Sequence, residues 1–273
     1  MQADQAPHGA HVRANGIRQH YLHFPGTGRP LVIVPGIASP AAMWGFIGAR
    51  LAPRHDTYVL DVRGRGLSEA GAHLDYGLDA CAADLAGFIQ ALRLQDVAVV
   101  GHSMGARIAI RMARHHAGLA ARLVLLDPPV SGPGRRRYPS PLETLITLIA
   151  AAQRGEVETL LRAPDAPRWP EVALRARAEW LHTCDPRAIT DAHNGFHTDD
   201  IHADLPHLQG PVALIAAGRG NVISAEDEAE LRQLAPAMLV RRLGTAGHQM
   251  QVEDTEGFLA LLAQVFDELD QPR

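Results

Sequence analysis

Ser103 stands between two glycines in Gly101-His102-Ser103-Met104-Gly105. The apolar run "DVAVVG" leads into it, and the amphipathic run "MGARIAIRMARHH" starts directly after it. A strand that turns sharply into a helix pushes one side chain out at the apex and crowds the residues two before and two after it. Gly101 and Gly105 fit those crowded places, and Ala106 keeps the next turn small. Ser103 is therefore the candidate nucleophile. A serine hydroxyl is a weak nucleophile alone and needs a base, a group to orient that base, and donors for a developing oxyanion. The alternative is an idle serine in a glycine-bounded turn, which the strand before and the helix after disfavour.

The pattern resembles the G-x-S-x-G nucleophile elbow of the α/β-hydrolase family, whose triad runs Ser, then Asp or Glu, then His along the chain. In that family the base follows the last strand. "LGTAGHQMQVEDTEGF" places His248 on a Gly-flanked loop between the last expected strand and the final helix. Among 15 histidines it is singled out by this position. In most members the acid lies in a Gly-x-x-Asp turn after the strand before. Here that turn reads Gly218-Arg219-Gly220-Asn221, and an amide cannot supply the charge that stabilises an imidazolium. One strand earlier "RLVLLDPP" ends in Asp127, and some members of the family take their acid there. The expected triad is Ser103, Asp127 and His248, unless Asp127 only braces the turn that follows. The expected oxyanion donors are the N–H of Met104, after the nucleophile, and of Ile37 in "PGIAS", where Gly36 allows close approach.

Other motifs carry less chemistry. "DVRGRGLSE" resembles the D-x-R-G-x-G-x-S loop of many α/β hydrolases, where Arg63 and Arg65 would be braces; it lacks the G-K-S/T ending of a phosphate loop. "HNGFHTDDIHADLPH" sets His193 and His197 four apart with Asp199, Asp200 and His202 near, but holds no H-E-x-x-H. Serine chemistry needs neither metal nor cofactor, and none is expected. Met104, Met112 and Trp44 read first as core or pocket wall, with Trp44 a candidate substrate contact. "GPGRRRYPS" offers Arg135, Arg136 and Arg137: three arginines in a row usually make a solvated face, but one of these could reach a substrate carboxylate.

The elements that must position these groups alternate. "HVRANGIRQHYLHF" reads as two strands joined by an Asn15-Gly16 hairpin turn. Strands are then expected at "PLVIVPG", "DTYVLD", "DVAVVG", "ARLVLLD", "PVALIAAG" and "MLVRRL". Helices are expected at "AAMWGFIGARLA", "GLDACAADLAGFIQALRL", 104–116, "SAEDEAELRQLA" and 254–268. Alternation of this kind argues for an α/β fold, a mostly parallel eight-stranded-type sheet with helices on both faces. Between Pro128 and about Pro206 no buried strand is expected, and "SPLETLITLIAAAQRG" and "EVALRARAEWLHTC" read as helices. The reading is a core domain of residues 1–127 and 207–273 with a helical cap insertion, 128–206, over the carboxyl ends of the strands.

The chain has 273 residues, 47% of them hydrophobic, with a formal net charge of −4. Every one of its 26 basic residues is Arg. This balance gives no reason to expect nucleic acid or an anionic membrane as partner. Cys81 and Cys184 form no disulfide framework, and neither a signal segment nor a membrane-length apolar run is seen, so the expected location is cytoplasmic. The oligomeric state stays open.

"ANGIRQHYL", "DTYVLDVRGRGLS", "DYGLDACAADL", "GHSMGAR", "DPPVSGPGRRRYPS" and "RAEWLHTC" together are similar to the N-formylmaleamate deformylases of aerobic bacterial nicotinate degradation, over nearly the whole chain. "GHSMG" and "DVRGRG" are shared by many α/β hydrolases; "DPPVSGPGRR" and "RAEWLHTC" are more specific. The resemblance implies an amidase-type deformylase that converts N-formylmaleamate to maleamate and formate through a formyl-enzyme. It also implies a small-molecule substrate carrying a carboxylate, and an acid on the earlier strand. Rival readings are an ester or carbon–carbon bond hydrolase of aromatic-ring catabolism, a non-catalytic ligand sensor that keeps the triad, and a cofactor-free oxygen-using member of the fold.

Overall fold

The computed structural model describes residues 7–164 and 166–271. The described residues open with β1 (His8–Ala14) and β2 (Ile17–Phe24), an antiparallel pair. They are joined at Asn15 and Gly16, whose φ values of 48° and 77° are those of the tight hairpin turn expected there. The parallel strands follow: β3 (Pro30–Val34), β4 (Asp56–Leu60), β5 (Ala98–His102), β6 (Arg122–Leu126), β7 (Val212–Ala217) and β8 (Leu239–Leu243). They form one eight-stranded sheet in the order β1-β2-β4-β3-β5-β6-β7-β8, with β2 antiparallel to β4 and every later pairing parallel.

The sequences of the central strands explain their place. Each is apolar at consecutive positions, and alternate side chains enter opposite cores. Val32, Val34, Val99, Leu123, Leu125 and Leu214 belong to the core beneath α2 (Leu78–Ala91) and α3 (Met104–His115). Leu31, Ile33, Val100, Val124, Leu126 and Ile215 belong to the other, covered by α1 (Gly45–Leu51) and α10 (Thr255–Leu269). Two helices depart from the sequence reading at their starts. The expected helix from Ala41 begins as a 3-10 turn, Ala41–Trp44, before α1. A short α9 (Met250–Glu253) precedes α10.

Between β6 and β7 the structure is helical: α4 (Leu142–Gln153), α5 (Val157–Leu161), α6 (Glu171–Trp180) and α7 (Pro186–Thr198), with 3-10 turns at Leu181–Thr183 and Leu205–His207. Helix α8 (Ala225–Leu234) then lies between β7 and β8, started by a capping box of Ser224 and Asp227. Buried Arg107 on α3 ties this helical layer to the sheet. Its guanidinium donates to the carbonyls of Pro129, Ser131, Gly195 and Asp199 at 2.8–3.3 Å. Burial lowers its pKa to about 10, which leaves it charged at neutral pH. Among the described residues no helix is long and apolar enough to cross a membrane.

Candidate active site

Ser103 sits at the apex between β5 and α3 with φ 53° and ψ −117°, a backbone region that costs a non-glycine residue energy. The glycines around it are required by space. A Cβ on Gly101 would stand 2.4 Å from the carbonyl oxygen of Gly105, and one on Gly105 would stand 1.9 Å from that of Val34. Each neighbour is backbone and cannot move aside as a flexible side chain would. The apex is held on the sheet side by the Ser103 N–H, which donates to the Leu126 carbonyl at 2.8 Å.

Asp127 follows that same Leu126. It is fully buried and also has a positive φ, 43°, which swings its carboxylate away from the strand direction. Oδ1 accepts the Ala217 N–H at 3.0 Å, and Oδ2 lies 2.7 Å from His248 Nδ1. His248 Nε2 lies 3.0 Å from Ser103 Oγ. Three residues from three separate loops thus make one hydrogen-bonded chain. Its geometry demands that the neutral imidazole carry its proton on Nδ1, toward the carboxylate, and present a lone pair to the serine. Asn221 lies apart from this chain. It is exposed, and its carbonyl accepts from Arg136 at 3.0 Å. Its turn still bears on the site, because a Cβ on Gly220 would come within 3.8 Å of Asp127 Oδ2.

His102, the other histidine of the elbow, lies beside His248. Its Nε2 is 2.9 Å from the His248 carbonyl, and its ring is 5.0 Å from the His248 ring. Burial pushes its pKa down to about 3. A neutral His102 with its proton on Nε2 donates to that carbonyl and fixes the loop that carries His248. Its Nδ1 is buried with no partner among the described residues, facing Gly36, whose added Cβ would be 3.2 Å away. Gly36 is also close to Ser103: that Cβ would be 3.4 Å from Ser103 Cβ. The Pro35–Ile37 segment therefore passes directly over Ser103.

Arg65, fully buried, fixes this segment by donating from Nε to the Ile37 carbonyl at 3.0 Å. It also donates to the Arg63 and Ala188 carbonyls at 2.8 and 3.0 Å. Arg63 grips Asp84 through two bonds of 2.5 Å. Both arginines are braces. On the other side of Ser103, the Met104 N–H belongs to the first turn of α3, where the helix offers it no acceptor and its dipole favours negative charge.

The expected substrate contacts are placed differently. Arg135 makes two bonds with Glu230 of α8, at 2.7 and 2.8 Å. Arg136 bonds Asp227 at 2.5 Å as well as the Asn221 and Val222 carbonyls. Arg137 is exposed. Trp44 is buried in the core with its ring 5.5 Å from that of His102, beneath the site rather than open to it. His193 Nε2 contacts the Ser140 carbonyl at 2.9 Å and packs on Tyr138 and Phe196.

Tyr138 was not singled out by the sequence. Burial raises its pKa, the neighbouring Ser140 and Ser103 side chains oppose that rise, and its ring is 6.5 Å from that of His248. The only local hint was its place directly after the arginine run.

Comparison with known proteins agrees with this architecture. The α/β hydrolase fold family matches residues 29–255. The N-formylmaleamate deformylase of Pseudomonas putida is 52% identical over 259 residues, covering 95% of this chain and 96% of that protein. A 2-hydroxy-6-oxo-2,4-heptadienoate hydrolase of Pseudomonas putida is 27% identical over 281 residues, covering 93% of this chain and 94% of that one. A solved structure of an N-formylmaleamic acid deformylase from Pseudomonas putida superposes with a TM-score of 0.90 at 50% identity, covering 94% of this chain and all of that one. The chain belongs to the α/β-hydrolase family.

Proposed function

We propose that this chain is a serine hydrolase that cleaves the N-formyl amide of N-formylmaleamate to maleamate and formate. The observation that carries the reading is the coincidence of two things: 52% identity to a deformylase along 95% of the chain, and an unbroken Ser103–His248–Asp127 hydrogen-bond chain. Ser103 Oγ attacks the formyl carbon as His248 Nε2 takes its proton. Asp127 stabilises the imidazolium, and the N–H groups of Met104 and Ile37 receive the oxyanion. Losing one such donor costs about a hundred- to a thousandfold in rate.

His248 then gives its proton to the departing nitrogen. That nitrogen is also bonded to the second carbonyl of the substrate, which delocalises its lone pair and makes it a better leaving group than a simple amine. Maleamate leaves, and the formyl group remains as an ester on Ser103. Water attacks that ester while His248 accepts its proton; formate departs and the proton returns to Ser103 Oγ. Residues 128–206 act as a cap over this centre. The test is release of formate from N-formylmaleamate by the purified protein, set against turnover of aromatic esters and of a ring-fission dienoate. Formate release at enzymatic rates supports the reading; turnover of only the esters or the dienoate overturns it.

A further inference from the structure

The two expected oxyanion donors, the N–H groups of Ile37 and Met104, come from separate segments, and something must hold those segments at a fixed spacing. Arg65 touches both residues. Its Nε donates to the Ile37 carbonyl at 3.0 Å, and its Nη2 donates to Met104 Sδ at 3.6 Å. Nη1 donates to the Arg63 carbonyl at 2.8 Å, and Nη2 also donates to the Ala188 carbonyl, on α7, at 3.0 Å. The residue is 1% exposed, and a guanidinium stays protonated in proteins. Arg63 sets its buried charge against Asp84. Arg65 differs: among the described residues its hydrogen-bond partners are carbonyls and a sulfur, and none is a carboxylate. A buried cation without a counter-charge costs stability. What this one supplies is a rigid link between Ile37 and Met104.

We propose that Arg65 is the positioning residue of the oxyanion hole, fixing Ile37 and Met104 relative to each other so that their N–H groups converge on the oxygen of the tetrahedral intermediate; the inference rests on the serine-hydrolase chemistry of the reading above. The loop that carries Arg65 grips the same segment at a second point. Asp61 Oδ1 accepts the Ala41 N–H at 2.5 Å, four residues beyond Ile37. Asp61 is itself held: Oδ2 accepts the Leu67 N–H at 3.0 Å and lies 2.6 Å from His20 Nδ1. A Cβ on Gly66 would stand 2.1 Å from that carboxylate, so the loop folds this tightly only with glycine there. Residues 37 and 41 are thereby both tied to residues 61–67. The cap joins the same frame, because the Asp185 N–H, at the start of α7, donates to the Gly64 carbonyl at 2.9 Å.

Arginine suits this task. Its N–H donors lie in one rigid plane, so a single side chain sets the angle between several backbone points at once, which a flexible lysine with one ammonium cannot do. Oxyanion donors stabilise a charge that develops during the reaction, and they act through being fixed beforehand. Misplacing reacting groups by about 1 Å can cost about 100-fold in rate. The charge is absent from the bound substrate, so a loosened hole lowers kcat and leaves KM nearly unchanged.

The test compares the parent with Arg65→Met on N-formylmaleamate and on the neutral ester p-nitrophenyl formate, and adds inhibition by methylboronic acid. The boronic acid bonds through boron to Ser103 Oγ, His248 takes the hydroxyl proton, and the tetrahedral boron carries the negative charge, so the adduct probes the hole with no leaving group. In the variant, kcat should fall about 30- to 100-fold on both substrates with KM within about threefold. Methylboronic acid should bind about 30- to 100-fold more weakly, while maleamate, which forms no tetrahedral anion, should inhibit within about threefold of its parent value. A parent-like kcat overturns the inference. So does a raised KM on N-formylmaleamate alone, which marks a substrate contact, or an equal weakening of maleamate and boronate, which marks a general disturbance of the site. A parent enzyme that hydrolyses the ester but releases no formate from N-formylmaleamate sinks the deformylase reading instead, and the ester and boronate results still decide the role of Arg65. A parent that neither turns over the ester nor binds the boronate has no working oxyanion hole, and the inference falls. Should the Met variant not fold, Arg65→Lys carries the same comparison, with kcat expected to fall about tenfold or more at unchanged KM.

Discussion

Replacing Asp127 by Asn changes one atom type at the buried end of the Ser103–His248–Asp127 chain, and the structure dictates the consequence. Oδ1 of Asp127 accepts the Ala217 N–H at 3.0 Å, and Oδ2 faces His248 Nδ1 at 2.7 Å. An asparagine can keep the first bond only by pointing its carbonyl at Ala217. Its NH2 then faces His248 Nδ1, which must become the acceptor. The imidazole proton moves to Nε2, the atom 3.0 Å from Ser103 Oγ, and the base can no longer take the serine proton. The flipped amide restores the tautomer but sets NH2 against the Ala217 N–H in a buried site, at a cost of about 1–3 kcal/mol. Either rotamer also removes the negative charge opposite the imidazolium. In a serine protease the equivalent change lowers kcat by about 10⁴, roughly 5.5 kcal/mol of transition-state stabilisation. Asn221→Ala, by contrast, removes an exposed side chain that lies apart from this chain and leaves the Asn221 carbonyl on Arg136. The assay is formate release at saturating N-formylmaleamate. Asp127→Asn should lose about four orders of magnitude, and Asn221→Ala less than about tenfold. An Asp127→Asn variant within tenfold of the parent, or the reverse ranking of the two, refutes the electrostatic reasoning.

Tyr138→Phe removes the hydroxyl of a ring that packs beside His248 and neighbours Ser103, and should lower kcat about three- to tenfold with an unchanged melting midpoint; an unchanged kcat dissociates the hydroxyl from the reaction. Gly105→Ala drives a Cβ to 1.9 Å from the Val34 carbonyl, so thermal melting should show a loss of about 3 kcal/mol or more together with lost activity; a parent-like melting curve contradicts the tight elbow. His102 has a folded-state pKa near 3, below its ordinary 6.5, so the unfolded chain binds the extra proton. The stability it contributes is complete above about pH 6.5 and falls as pH drops toward 3. His102→Gln keeps a donor for the His248 carbonyl without a titrating group. Urea unfolding should therefore show a smaller loss between pH 7 and about pH 4.5 for this variant than for the parent, and equal losses would count against the buried neutral imidazole.

Local signals in the sequence were strong where one stretch of chain decides its own conformation. Asn15-Gly16 specifies its hairpin because both residues tolerate the positive φ the turn needs. The elbow was legible because the two glycines answer a crowding that lies within five residues. Asp127 was legible as a strand-end residue and His248 as a residue of the loop after β8, and the parallel register of β5, β6, β7 and β8 brings the ends of these strands to one edge of the sheet. What could not be read depends on residues far apart in sequence. Arg135 and Arg136 look alike in an exposed arginine run, but their partners Glu230 and Asp227 come from a helix after β7. Tyr138 comes beside His248 only when the helical segment between β6 and β7 folds back over the sheet. The 3-10 turn at Ala41–Trp44 was hidden for a similar reason: Asp61 Oδ1, from the end of a neighbouring strand, takes the Ala41 N–H at 2.5 Å and sets how the turn begins.

The most direct test of the account is the turnover of Ser103→Ala beside the parent enzyme, measured as formate released from N-formylmaleamate under identical conditions. The hydroxyl removed is the one 3.0 Å from His248 Nε2, and the remaining elbow, base and oxyanion donors stay in place. The account predicts that the variant folds, still binds maleamate, and loses about 10⁴-fold or more in kcat. A variant that releases formate within about tenfold of the parent rate would contradict the formyl-enzyme and require direct attack by water.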